Sequence, residues 1–330
     1  MKALVYTAPD QVVYREEPDP LLDDGEVLIR IDAAGICGSD MHAYHGHDPR
    51  RVPPMILGHE LAGRIVAGPG TGNRVTVNPL ITCGVCEYCV TGRNNLCTDR
   101  TMIGMTRPGG FAELMTIPAA SVIDVPQDMN PREVALTEPA ATALHAMALA
   151  ARALTRPLPE ARVLVIGGGA IGLLTALLLN SYGCRGIDLA ETNPLRRRSV
   201  SATGAARAFD PVSTPPQANR FDLVVDAVGG KATRASALAA VKPGGVILHI
   251  GLMDWASEID MRKLTLSEIT LIGTYTYSTA DMRATVQALH TGVFGDLAWV
   301  EMRPLAEGAA AFADLAEGRS ASAKIVLQPH

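Results

Sequence analysis

The chain has 330 residues, of which 48% are hydrophobic and 19% are charged, and its net charge is −5. This length suffices for one large or two medium-sized domains. The acidic balance, the lack of a basic stripe and the 4% aromatic content argue against a nucleic-acid partner. No run of about 18 apolar residues occurs, so neither a membrane-spanning helix nor a membrane partner is predicted.

Short strands separated by Gly and Pro dominate residues 1–140, which indicates an irregular, mostly β domain. The predicted strands are Ala3–Tyr6, Val27–Ala33, Leu61–Val66, Val75–Asn78 and Phe111–Ile117. An alanine-rich stretch then predicts a helix over residues 134–154.

From Arg162 onward, apolar strands alternate with helical stretches, which is typical of a parallel sheet covered on both faces. The predicted strands are Val163–Ile166, Gly186–Ala190, Ala208–Asp210, Leu223–Asp226, Gly245–Ile250 and Thr270–Gly273. Six strands are the number in a doubly wound, Rossmann-type dinucleotide-binding fold. A helix around Ala280–His290 follows, and Lys324–Leu327 predicts a strand that returns to the first domain.

Four cysteines lie in the run CGVCEYCVTGRNNLC, at Cys83, Cys86, Cys89 and Cys97. A closed shell of four thiolates is typical of a structural zinc site. Two disulfides would suit a small secreted protein, but no apolar N-terminal signal segment is present. An iron–sulfur cluster is the nearer alternative, although its fourth cysteine usually follows sooner than it does here. Six cysteines in such a chain indicate a reducing, cytoplasmic location, with Cys184 as a buried thiol.

A glycine-rich loop follows the strand Val163–Ile166 and precedes the helical run Leu173–Asn180. Its glycines have G-x-G-x-x-G spacing between a strand and a helix, which predicts a dinucleotide pyrophosphate at the helix N-terminus. The predicted contacts are Gly167, Gly169, Ala170, Ile171 and Gly172.

Glu191 stands 19 positions beyond Gly172, at the end of the next strand. A carboxylate there accepts hydrogen bonds from the adenosine ribose and repels a 2′-phosphate, so NAD is favoured over NADP. Arg196 and the two arginines after it either begin a solvated helix or reach a phosphate. Gly251, beyond the fifth strand, is a further predicted cofactor contact.

Cys37 lies in GICGSDMH, and His59 and Glu60 lie in LGHE. A catalytic zinc needs about three protein ligands and one open position, which Cys37, His59 and a carboxylate satisfy. Taken singly, each of these residues could equally be an ordinary core or surface residue.

Together the motifs resemble the zinc-dependent medium-chain dehydrogenases over essentially the whole chain. The matching segments, in the family's order, are GICGSDMH, GHE, the four-cysteine lobe, EPAATALHA, GGGAIG and the terminal strand. The chain is most similar to the polyol (sorbitol- and galactitol-type) and L-threonine dehydrogenases, because Glu138 stands where simple alcohol dehydrogenases carry a cysteine ligand. The resemblance implies a GroES-like, mostly β catalytic domain (residues 1–142 and 277–330) and a Rossmann-type NAD-binding domain (residues 143–276).

The same resemblance implies two zinc ions per chain, one structural and one catalytic. Cys37 and His59 are implied to bind the catalytic zinc directly. Glu60 and Glu138 are implied to enter its shell directly or through water, and Glu60 is also a candidate catalytic residue. Asp40 is implied to orient His59.

The resemblance further implies a proton relay from Ser39 through the nicotinamide ribose to His42. Thr142, one helical turn past Glu138, is implied to lie against the nicotinamide. The expected reaction is hydride transfer from a secondary alcohol to NAD, which yields a ketone.

The substrate is less well defined. Thr276 stands where polyol dehydrogenases often carry a pocket arginine, which argues against direct transfer of sorbitol specificity. The loop after His42 is either a wet surface loop or a polar rim for hydroxyls or a phosphate, with His45, His47, Arg50 and Arg51 as its members. Candidate pocket walls are Tyr44, Phe111, Tyr275 and Trp299.

A polyol or another secondary alcohol is therefore the leading substrate expectation. L-Threonine and a polyol phosphate are the alternatives, and a non-catalytic zinc- and nucleotide-binding regulatory protein is the alternative of another class. A homodimer or homotetramer is expected, with the sixth strand, near Thr270–Tyr277, as its pairing edge.

Overall fold

Four β-sheets organise the chain, and the computed structural model describes all residues, 1–330. The N-terminal half contains ten strands: β1 (Lys2–Ala8), β2 (Gln11–Glu16), β3 (Glu26–Gly35), β4 (Met55–Ile56), β5 (Glu60–Ala67), β6 (Arg74–Val77), β7 (Leu80–Ile81), β8 (Thr101–Met102), β9 (Leu114–Pro118) and β10 (Val122–Asp124). Four helices accompany them: α1 (Gly38–Tyr44), α2 (Glu87–Val90), α3 (Pro131–Ala135) and α4 (Thr137–Ala153).

The C-terminal half alternates strands with helices. Its elements are β11 (Arg162–Ile166), α5 (Ala170–Ser181), β12 (Gly186–Ala190), α6 (Pro194–Ala202), β13 (Arg207–Phe209), β14 (Phe221–Asp226), α7 (Lys231–Ala240), β15 (Val241–His249), α8 (Met261–Leu266), β16 (Thr270–Gly273), α9 (Thr279–His290), β17 (Val300–Pro304), α10 (Gly308–Ala316) and β18 (Lys324–Gln328). None of the helices combines the length and the apolar character that crossing a bilayer requires.

A seven-stranded sheet forms the frame of the first part. Its order is β10-β6-β5-β3-β18-β17, and β9 also pairs with β3. The C-terminal strand β18 pairs antiparallel with β3 through Val326 and Gly35. The predicted return of Lys324–Leu327 to the first domain is therefore confirmed.

A six-stranded parallel sheet forms the second part, in the order β13-β12-β11-β14-β15-β16. This is the 3-2-1-4-5-6 order of a doubly wound dinucleotide fold, so the predicted α/β class and strand count are confirmed. The strand order reverses between β11 and β14, here called the switch point of the sheet, and ligands of such folds bind in the crevice outside the carboxyl ends of these strands.

The predicted helix over residues 134–154 is divided in the structure. Asn130 caps α3, which ends at Ala135, and α4 begins at Thr137 with Pro139 in its first turn, where a missing N–H is tolerated. The alanine-rich face of α4 packs into one continuous core with α5, α9 and strands β11 and β14. Because α4 contains residue 142, the predicted domain boundary falls inside a continuous helix.

Three of the four predicted pocket walls are core residues, so that interpretation was wrong for them. Phe111 and Tyr44 both pack against Phe312, with ring centroids 6.0 and 5.3 Å apart, and Trp299 is buried in the core around α4. Strand β9 also begins later than predicted, since the backbone of Phe111 bonds to Leu57 instead of joining that strand.

Candidate active site and metal centres

The four sulfurs of the cysteine lobe, residues 83–97, converge on one point, around α2 and the short 3₁₀ helix Asn94–Leu96. All four cysteines are free, and three Sγ pairs are 3.5, 3.6 and 3.9 Å apart. Tetrahedral zinc, with Zn–S bonds of about 2.3 Å, holds its sulfurs about 3.8 Å apart. A disulfide requires about 2.05 Å, and an iron–sulfur cluster places irons and sulfides between the thiolates. The donor set therefore fits a single zinc ion.

The protein shifts the pKa values of two of these thiols in opposite directions. Backbone amides of Val85 and Cys86 lower the pKa of Cys83 to about 7. Burial raises the pKa of Cys89 to about 11. A cation at the centre of the lobe favours the thiolate in every member, so metal loading there releases protons.

A second group of ligands, here called the catalytic cluster, consists of Cys37, His59 and Glu60. Cys37 caps α1, while His59 and Glu60 stand at the start of β5, and their ligand atoms all lie within 4.8 Å of one another. His59 and Glu60 are buried and Cys37 is half-buried, so the cluster is most accessible at the cysteine. Sulfur, imidazole and carboxylate are a zinc donor set with room for one more ligand.

Asp40 lies beside this cluster. One of its carboxylate oxygens is 3.5 Å from His59 Nδ1, and the other accepts a hydrogen bond from the Cys37 amide at 3.0 Å. Burial opposes a charged imidazole, but Asp40 and Cys37 outweigh it and raise the pKa of His59 well above its ordinary value. The pocket therefore favours positive charge, as a cation site should, and the orienting role of Asp40 stays a prediction.

The two predicted carboxylate ligands differ in their partners. Both oxygens of Glu60 accept hydrogen bonds from Lys324 Nζ, at 2.7 and 2.6 Å. Glu138, on α4, lies outside the catalytic cluster, and its Oε1 accepts a hydrogen bond from the Tyr277 hydroxyl at 2.5 Å. Burial and the neighbouring charge of Glu60 raise the pKa of Glu138 to about 7, against the opposing effect of His59.

Lys324 and Tyr277 are site residues that sequence reasoning missed. Lys324 offered one signal, because a lysine opens the terminal strand that was predicted to return to the first domain. Tyr277 offered none, since an aromatic residue near a sheet edge is ordinarily a packing residue.

The predicted relay residues lie on α1, and a buried arginine holds one of them. Arg51 donates from its guanidinium to the Ser39 carbonyl at 2.8 Å and to the Ser39 hydroxyl at 3.2 Å. The same side chain also bonds to Asp48 and Gly104 and is fully buried. Because a guanidinium only donates, the Ser39 hydroxyl accepts from Arg51 and its own proton is free for another partner.

His42 is half-buried on the same helix. Burial lowers the pKa of His42, the interactions with His47, Arg51 and His45 lower it further, and Asp48 opposes them. The imidazole is therefore neutral near pH 7 and can accept a proton. These contacts of Ser39 and His42 are all with protein groups. The proton relay from Ser39 through the nicotinamide ribose to His42 therefore stays a prediction.

The loop after His42 only partly forms the predicted polar rim. Arg51 is interior, and Arg50 is paired with Asp48 at 2.8 Å. His45 pairs with Asp10 at 2.7 Å, which is the behaviour of a surface loop, and His47 is exposed. Of the predicted pocket walls, Tyr275 alone remains exposed, with Arg100 4.8 Å from its ring centroid.

The glycine loop has the predicted shape. Gly167 adopts a φ of 101°, and a Cβ at Gly172 would collide with the Gly167 carbonyl, so both positions require glycine. Gly169 caps α5, and the first turn of that helix contains Ala170 and Ile171. The N-terminus of α5 thus opens at the switch point of the sheet, where it favours an anion.

Glu191 is where the sequence predicted it, at the end of β12, and it is buried. Its carboxylate accepts from the amides of Gly168 and Asn193, each at 2.7 Å. Arg196 lies 3.7 Å from that carboxylate, and Arg197 donates to the Glu191 carbonyl at 2.8 Å. The first arginines of α6 are thus engaged with this turn, which corrects the interpretation of a solvated helix start.

Gly251 lies on the other side of the switch point. Its amide donates to the Asp226 carbonyl at 3.0 Å. Asp226 is fully buried, and its carboxylate accepts hydrogen bonds from the amides of Val228 and Gly229 at 3.1 and 2.8 Å. In the sequence, Asp226 is the carboxylate that ends the largely apolar strand β14. Thr142 is half-buried on α4, and its contact with a nicotinamide stays a prediction.

Comparison with known proteins agrees with this geometry. Residues 23–127 match the model of the alcohol dehydrogenase GroES-like domain, and residues 170–291 match that of the zinc-binding dehydrogenases. An L-galactonate-5-dehydrogenase of Escherichia coli is 32% identical over 83% of this chain and 82% of its own length. An L-threonine 3-dehydrogenase of Pectobacterium atrosepticum is 30% identical, over 83% of this chain and 80% of its own.

A solved structure shares the whole architecture. The zinc-binding dehydrogenase of Sinorhizobium meliloti, described as putative and bound to NADP, superposes with a TM-score of 0.89 at 27% identity, over 99% of each chain. We conclude that the chain belongs to the zinc-binding alcohol dehydrogenase family.

Proposed function

We propose that this protein is an NAD-dependent, zinc-containing dehydrogenase that oxidises a secondary alcohol to a ketone, with polyols as the leading substrate class. The catalytic cluster carries the proposal. It combines a half-exposed cysteine with a buried histidine and carboxylate, and a second buried carboxylate, Glu138 on α4, interacts electrostatically with His59 and Glu60. We assign residues 1–142 and 277–330 to the catalytic domain and residues 143–276 to cofactor binding.

Cys37 and His59 would hold the catalytic zinc, with Glu138 or Glu60 as the further ligand. When bound, zinc supplies Lewis acidity that makes a substrate hydroxyl more acidic, and NAD supplies the hydride acceptor. Ser39, held by Arg51, presents a hydroxyl that can accept the substrate proton while passing on its own. His42 is neutral near pH 7 and can receive a proton for transfer to solvent.

NAD is the proposed cofactor because a buried carboxylate, Glu191, closes the ribose end of the glycine loop. A 2′-phosphate there would meet its negative charge. Arg196 is 3.7 Å from that carboxylate and partly offsets its charge. The rate with NADP should therefore be measured beside the rate with NAD. Four thiolates must stay reduced to hold the structural zinc, which supports the expectation of a cytoplasmic location.

The polyol class is supported by the relative named for L-galactonate, a polyhydroxylated sugar acid. L-Threonine is the second candidate, because a relative of nearly equal similarity is named for it. The test is the initial rate of NADH formation with hexitols, pentitols, their phosphates, sugar acids, simple secondary alcohols and L-threonine.

A clear preference for one polyhydroxylated compound supports the proposal. A preference for L-threonine replaces the substrate class. No turnover of any compound by protein with two zinc ions per chain would favour a non-catalytic regulatory protein instead.

We also propose that the enzyme is a homo-oligomer in which two copies pair along β16, the edge of the six-stranded sheet. An edge strand leaves backbone donors and acceptors unpaired, and an identical strand related by a two-fold axis satisfies them. Large apolar side chains are exposed along this edge and the segment before it, namely Leu252, Met253, Trp255, Ile259, Met261, Leu266 and Leu271. A patch of this kind marks a protein interface.

A further inference from the structure

We propose that Tyr277 is a positioning residue that holds the Glu138 carboxylate toward the catalytic cluster, and that the cysteine lobe holds Tyr277 in turn. The inference rests on the proposed zinc site. Tyr277 is fully buried, and its hydroxyl donates to Glu138 Oε1 at 2.5 Å. The two residues are 139 positions apart, on the connection after β16 and on α4.

The hydrogen bond selects one of the two oxygens of Glu138. A phenol offers one proton, so Tyr277 occupies Oε1 and leaves Oε2 for another partner. The other nearby carboxylate differs, because Lys324 Nζ bonds to both oxygens of Glu60 and would compete with a metal for them. Of the two carboxylates, Glu138 is therefore the one with an oxygen, Oε2, that accepts no hydrogen bond from the protein.

A glutamate needs this support because three side-chain torsions separate its carboxylate from the backbone. The burial of Glu138 excludes solvent that could otherwise orient it. A group that hydrogen-bonds to a metal-binding side chain fixes the orientation of that side chain. Removal of the group typically lowers metal affinity about 10- to 100-fold. The Tyr277 hydroxyl has the position of such a group.

The cysteine lobe fixes the backbone on both sides of Tyr277. Asn95 Nδ2 donates to the Tyr275 carbonyl at 2.8 Å, and the Thr279 amide donates to Asn94 Oδ1 at 3.0 Å. Both asparagines lie in the 3₁₀ helix directly before Cys97. An ion held by the four cysteines thus fixes the two asparagines, and through them the backbone around Tyr277. Tyr277 in turn holds Glu138 in the other zinc site.

The first test is Tyr277→Phe, which removes one hydroxyl and keeps the ring. In the zinc-loaded protein, competition with a chromogenic chelator should show one zinc ion per chain that binds about 10- to 100-fold more weakly than in the wild type. The other zinc should be unaffected. Tyr182→Phe, at an exposed tyrosine at the end of α5, is the matched control and should leave both affinities unchanged.

Affinity within about twofold of the wild type in Tyr277→Phe would overturn the positioning role. That result is distinct from failure of the proposed function, in which the wild type itself would bind only the zinc of the lobe. Circular dichroism and the melting temperature establish that each variant is folded.

The second test addresses the connection to the lobe. Asn94→Ala and Asn95→Ala should each weaken the same zinc ion in the wild-type background while the lobe keeps its own. In the Tyr277→Phe background they should have little further effect, since residues acting through one contact are not additive. Full additivity would overturn the connection, even where the single Tyr277 variant behaves as expected.

Discussion

Glu60 and Lys324 form a buried ion pair at the site, with side chains 1% and 2% exposed. Removing one partner of such a pair leaves an uncompensated charge, which typically costs about 3–5 kcal/mol. We expect Lys324→Met to lower the free energy of unfolding of the zinc-free protein by roughly this amount, as measured by urea denaturation. Lys2→Met, which breaks the exposed pair with Glu16, is the control and should have little effect. Equal stability of the two variants would refute a stabilising role for the Glu60–Lys324 pair.

His42 gives a prediction about pH. Its pKa is lowered, so the neutral form that accepts a proton persists below the ordinary histidine pKa of about 6.5. Alcohol oxidation should therefore lose rate only below this pH, and His42→Asn should slow it about 100-fold or more. His47→Asn removes an interaction that lowers the pKa of His42, so it should raise that pKa and move the acidic limb of the kcat profile to higher pH. A limb that does not move with His47→Asn would assign that limb to another group.

At the scale of elements, the cysteine lobe contains one four-residue helix and one 3₁₀ turn, and α2 has no buried residue of its own. Such a segment has too little apolar surface to order itself, so a metal must supply the order. We expect Cys83→Ser to lower the zinc content by one ion per chain and to expose residues 83–97 to limited proteolysis. Cys184→Ser is the matched control, because that buried thiol bonds only to the Ala161 carbonyl, and it should keep both ions. Undiminished zinc in Cys83→Ser would contradict the structural-site assignment.

At the scale of the whole molecule, the edge strand β16 and its apolar surroundings should set the oligomeric state. We expect Leu271→Asp to convert the oligomer to a smaller species, because a carboxylate at the paired edge would face its own copy across the two-fold axis. The mass of the oligomer should be measured by light scattering or sedimentation for the wild type and the variant. Leu21→Asp, at an exposed leucine in the N-terminal half, should leave the mass unchanged. A wild-type monomer would contradict the proposed pairing.

The sequence by itself determined the features that depend on neighbours along the chain. The spacing of four cysteines within one short run, the glycine loop between a strand and a helix, and the alternation of apolar strands each follow from local backbone geometry. They predicted the two-part architecture and the six-stranded parallel sheet, whereas the candidate ligands Cys37, His59 and Glu60 were implied by the resemblance to the dehydrogenase family. These local features could not identify the substrate pocket, because residue type alone does not separate core aromatics such as Phe111 and Trp299 from pocket walls.

Only the tertiary structure decided which groups meet across long separations. Lys324 reaches Glu60 over 264 positions because β18 pairs with β3, and Tyr277 reaches Glu138 because the connection after β16 packs against α4. These contacts have no periodicity or spacing in the sequence, since they arise from the pairing of strands and the packing of helices. The same long-range packing gives Glu60 and Glu138, alike as residue types, different partners, Lys324 and Tyr277 respectively.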